Sequence, residues 1–111
     1  MNEYTVAEID EQRLETKEPW LEFQRSADLS TGLYVLQRGE VDEQVPHTED
    51  EIYVAVSGEA TFTTPSGSVA VTPGTVLFVP AYEEHRFVDV TKTLRLVVVF
   101  GPAEGSREPA G

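Results

Sequence analysis

The run Glu49-Asp50-Glu51-Ile52-Tyr53-Val54-Ala55-Val56-Ser57-Gly58 decides how this chain is read. Five apolar or aromatic residues in a row are too few for a buried helix. They end on Ser-Gly, where glycine supplies a positive φ, so the stretch reads as a strand entering a turn. The same texture repeats outward in both directions. Apolar segments near 20–25, 32–38, 52–57, 59–64, 68–72, 76–79, 85–90 and 94–100 are separated by Ser57-Gly58, Pro65-Ser66-Gly67, Pro73-Gly74 and Pro80-Ala81. The implied class is all-β: a jelly roll or small closed barrel of roughly eight or more antiparallel strands, an architecture that hides strand edges.

Length bounds this to one domain of 111 residues. Residues 1–18 are polar and acid-rich, with Val6, Ile9 and Leu14 too sparse to choose between a short helix and an extended arm. The barrel occupies 19–100, and 101–111, all Gly, Pro, Ala, Ser and charge, is expected to be a flexible tail. Ile52–Val56 and Leu96–Phe100 have no polar face. In so thin a domain their outer sides need cover from the N-terminal arm or a second subunit, so a homodimer is expected.

Composition removes several functions. Lys and Arg total 8 against 20 Asp and Glu, a net charge of −12, which repels nucleic acid and anionic membranes. Cysteine is absent, so disulfides, thiolate metal sites and thiol nucleophiles are excluded. The acidic start carries no apolar targeting segment and no run is long enough to span a bilayer, so a cytoplasmic protein is expected. A G-x-S-x-G serine, a P-loop and a dinucleotide fingerprint are missing. Glu83 and Glu84 are adjacent and point apart, unlike a glycosidase pair.

The two histidines, His47 and His85, both lie beside carboxylates. A divalent ion takes neutral imidazole nitrogens with a carboxylate converging on one point, so these two clusters hold candidate donors. In an extended segment Glu49 shares the phase of His47 and Glu51, which offers a fourth ligand, a partner orienting His47 or a general base. Tyr53 shares the inward phase of Glu51, and Tyr82 sits in the turn before His85, so both are candidates for lining a pocket and donating hydrogen bonds. From Gly39 to His85 there is no Lys or Arg, which disfavours phosphorylated substrates and favours a small neutral or aromatic molecule.

The order of these residues resembles the two motifs of the cupin superfamily. Gly39, Val45, His47, Glu51 and Gly58 keep the spacing of the first motif, with Val45 in place of its first histidine. Gly74, Pro80, Tyr82, His85 and Asp89 keep that of the second, with Tyr82 for a glycine and Asp89 for an asparagine. The resemblance implies a barrel holding one divalent transition metal (iron, manganese, nickel or zinc) through His47, Glu51 and His85. Two histidines and one carboxylate are the facial set of non-haem iron oxygenases, so a dioxygenase-like enzyme on a small organic molecule leads. A non-catalytic ligand-binding or sensing cupin and a cupin isomerase or lyase, with Glu49, Tyr53 or Tyr82 as catalytic groups, are the alternatives.

Overall fold

Eight apolar segments become six strands, because the breaks at Ser57-Gly58 and at Thr91-Lys92-Thr93 each fall within a strand without ending it. The computed structural model describes residues 1–107 and contains α1 (Val6–Thr16), β1 (Trp20–Arg25), β2 (Ser30–Leu36), β3 (Asp50–Thr64), β4 (Gly67–Val71), β5 (Val76–Val79) and β6 (Arg86–Gly101). All pairings are antiparallel, in the order β1-β2-β6-β3-β4, with β5 also on β3. The first half of β3 pairs with β5 and the end of β6, its second half with β4 and the start of β6.

Between those halves the β3–β6 register slips three times, at Ala55/Ser57, Ser57/Glu59 and Glu59/Thr61. Gly58 sits at this corner with φ of 94°, and a Cβ there would fall 2.2 Å from the Thr93 carbonyl oxygen. Only glycine fits, and the long strands fold over into a jelly-roll barrel rather than a flat sheet. Inside, Tyr53, Phe62 and Phe87 stack at 4.8–5.9 Å, with Leu94, Leu96 and Val98 fully buried around them.

The N-terminal segment forms a helix. Thr5 caps it by accepting from the Glu8 N–H at 3.3 Å, and Lys17, at φ of 63°, ends it. Its apolar contribution is small: Ile9 and Val6 cover Leu33, Val35 and Val97 on the outer barrel wall. Ions compensate, with Asp10 accepting from Arg13 and Arg95, both at 2.9 Å. Burial on its own raises the Asp10 pKa, and these two guanidinium hydrogen bonds reverse it, holding the carboxyl below its ordinary value.

The expected flexible tail is corrected over 101–107. Ala103 is buried, the Glu104 N–H donates to Ser30 Oγ at 2.8 Å, and the Gly105 N–H donates to Glu49 Oε1 at 3.1 Å. Small residues that look like a linker here let the chain lie flat against the barrel mouth. Residues 108–111, the rest of that expectation, lie outside the described residues.

Candidate metal centre

Glu51 opens the inner face of β3, one turn of the pleat before Tyr53, so both side chains enter the barrel. His85 comes from the chain just before β6, and His47 from the non-regular segment before β3. One ligand atom each of His47, Glu51 and His85 lie within 4.8 Å of one another, the grouping a single cation requires.

Electrostatics favour that cation. His85 Nδ1 lies 2.8 Å from the Glu83 carbonyl oxygen, which places the ring proton there and turns the Nε2 lone pair inward. Nε2 then lies 3.1 Å from Glu51 Oε1, lone pair against lone pair, and neither Glu51 oxygen has a hydrogen-bond partner at 2% exposure. An orphaned buried carboxylate is costly, and a cation held here would offset that cost. Burial alone depresses the His85 pKa, yet the Glu51 carboxylate and the Glu83 carbonyl outweigh it and the net shift is upward. A proton and a metal ion compete for this position.

The cavity beside the centre has a volume of about 280 Å³. Trp20, Tyr34, Val98 and Phe100 form its apolar wall, while Gln44, Tyr53 and Glu104 bring polar atoms to it. Among the described residues, no Arg or Lys lines it. Glu104 Oε2 stands 3.7 Å from His47 Nδ1. Burial raises the Glu104 pKa, and the carboxylates of Glu22, Glu49 and Glu51 push it the same way. Tyr53 Oη donates to Gln44 Oε1 at 2.8 Å and lies 3.1 Å from His85 Nε2. Burial, then the Glu51 charge, drive its pKa well up, so the hydroxyl keeps its proton.

Other expected residues sit elsewhere. Glu49 is buried and lies outside the His47–Glu51–His85 group, its oxygens taken by the Gly105 N–H and the Thr48 hydroxyl. Strand geometry begins only at Asp50, so the chain bends at Thr48-Glu49 and alternation from His47 to Glu51 fails. Tyr82 is 70% exposed. Its backbone explains the position: φ is 67°, and its N–H donates to the His47 carbonyl at 2.8 Å. Asp89, the other departure from the motif, has φ of 51°. Both replace residues that tolerate the left-handed region more easily.

Sequence reasoning missed Asp42, Gln44 and Glu104. Asp42 is 1% exposed and accepts from Tyr34 Oη at 2.7 Å, the Gln44 N–H at 3.2 Å, Gln44 Nε2 at 2.9 Å and the Phe87 N–H at 2.9 Å. It ties the pre-β3 segment to β2 and β6. The only signal for Gln44 was its place beside Val45, the vacated ligand position.

Against known families, residues 32–100 match the model of the Cupin domain. The chain belongs to the cupin family. An uncharacterised protein of Streptomyces coelicolor is 38% identical over 104 residues, covering 94% of this cupin and 99% of the relative. Among solved structures, TT1209 of Thermus thermophilus aligns with a TM-score of 0.72 at 23% identity, over 93% of this chain and 99% of that one. KdgF of a Halomonas species aligns with a TM-score of 0.68 at 20% identity, over 75% and 76%. These structures share the fold. Among the described residues, no helix is long and apolar enough to cross a membrane.

Proposed function

We propose that this cupin holds one divalent transition metal between His47, Glu51 and His85 and acts on a small neutral organic molecule, in a dioxygenase-type reaction. The observation that carries the reading is Glu51, a fully buried carboxylate with no donor, 3.1 Å from an imidazole nitrogen whose lone pair faces it. A bound ion supplies open coordination positions and, if it is iron, the electrons for dioxygen chemistry.

The chain's own groups do the rest. Trp20, Val98 and Phe100 exclude water and hold the apolar body of a substrate. Tyr53 keeps a proton at Oη beside the centre, and Glu104 sets a negative rim that turns phosphates away. The Tyr53 proton also favours a second reading, a lyase or isomerase reaction in which Oη hands its proton to the leaving or rearranging atom. The expected homodimer belongs to the same proposal. Ile52, Val56, Val76 and Phe78 lie exposed on the outer face of β3 and β5, where Ile52 pairs with Phe78. With a net charge of −12, two copies meet best at such an uncharged face, and Phe78→Glu turns a sedimenting dimer into monomer.

Metal analysis of protein purified without chelator, followed by oxygen consumption with catechols, thiols and flavonols, tests the function. About one equivalent of ion and uptake of oxygen are expected. Less than a tenth of an equivalent, with no thermal stabilisation by added iron, manganese, nickel or zinc, overturns the metal reading. A loaded protein that consumes no oxygen favours the lyase or a binding role.

A further inference from the structure

We infer that the side-chain amide oxygen of Gln44 is the fourth donor of the centre, replacing the imidazole that Val45 does not provide. The inference rests on the metal reading above. Val45 itself is 70% exposed and offers no donor atom. Its neighbour turns inward, with Gln44 Oε1 3.3 Å from His47 Nε2. Two donors each about 2.1 Å from one ion stand about 3.0 Å apart at a right angle and about 3.4 Å apart at a tetrahedral one. The Gln44–His47 separation falls in that interval, as does the 3.1 Å between His85 Nε2 and Glu51 Oε1.

The amide's orientation is fixed from behind. Asp42 only accepts hydrogen bonds, so the 2.9 Å contact to its Oδ2 must come from the Gln44 NH2 group, and that leaves Oε1 facing the histidines. Asp42 is in turn held by Tyr34 and the Phe87 N–H, so the oxygen is aimed by a rigid buried knot. Glu49, the other nearby acid, is committed to Gly105 and Thr48. Tyr53 Oη points its proton at Gln44 Oε1, which accepts it while keeping a second lone pair for an ion.

Cobalt(II) is the probe, titrated into metal-free protein and followed by its visible d–d absorption. Gln44→Leu, of similar size without the oxygen, is expected to weaken cobalt binding about tenfold or more and change the spectrum, while Val45→Ala changes neither. Gln44→His is expected to recover most of the affinity with a band shifted by the new nitrogen. Cobalt binding by Gln44→Leu within twofold of the parent, with the same spectrum, overturns the inference and leaves the three-residue site standing. Should Gln44→Leu not fold, an unshifted band in Gln44→His overturns it equally. No cobalt uptake by the parent protein overturns the metal reading, and this inference with it.

Discussion

Asp42 and Glu51 are both hidden from water, at 1% and 2% exposure, and their surroundings are opposite. Asp42 collects four hydrogen bonds, two from Gln44 and one each from Tyr34 and Phe87. Among the described residues Glu51 collects none, and its one ionic neighbour is His85 Nε2 at 3.1 Å. A buried charge without partners costs several kcal/mol, so a fold either supplies donors or leaves room for a counter-ion. Asp42 belongs to the first kind and organises the loop before β3. Glu51 belongs to the second, and on the proposed metal reading its region is stable in full only with a cation in place.

The largest test of this contrast is Asp42→Ala. It strands the Tyr34 hydroxyl, the Phe87 N–H and the Gln44 amide at once, and a loss of about 3–5 kcal/mol is expected in urea unfolding of the metal-free protein. Glu51→Leu is expected to do the reverse, raising metal-free stability by about 1–3 kcal/mol while abolishing stabilisation by added metal. A destabilised Glu51→Leu would mean that the carboxylate has structural donors after all, and the contrast would collapse.

Two smaller effects sharpen it by testing places where strain or charge is already answered. Tyr82→Gly relieves a φ of 67°, and a gain of about 0.5 kcal/mol is expected from thermal unfolding with the centre unaffected. The least effect is at Asp10. Its folded pKa is depressed below its ordinary value of 3.8, so its contribution is present above that value and fades as pH falls through the folded pKa. The stability gap between parent and Asp10→Asn is therefore expected to be full near about pH 6 and to close below pH 3.8. A gap that instead widens on acidification contradicts the Arg13–Asp10–Arg95 clamp.

Much of the barrel is legible from residues alone, because glycine and proline positions are set by backbone sterics. Gly58 marks the corner by necessity, yet the same glycine suggests two strands where β3 runs through as one. Local pattern shows a bend but not whether pairing continues across it. His47, Glu51 and His85 are legible because the family spacing names them. Gln44 and Asp42 are not, since their value depends on the chain turning at residues without periodicity and on contacts to Phe87, 45 positions away. Glu104 hides in a segment whose composition resembles a linker and whose order comes from Ser30, Glu49 and Arg25. The N-terminal helix is similarly opaque, held by ion pairs more than by an apolar stripe.

Anomalous diffraction from crystals grown with manganese, iron, nickel or zinc, recorded at that metal's absorption edge, tests the central claim most directly. A single strong peak about 2.0–2.3 Å from a nitrogen of His47, a nitrogen of His85 and an oxygen of Glu51 is the expected result. An edge-specific map empty at that point, with Glu51 instead hydrogen-bonded to a protein donor, would contradict it.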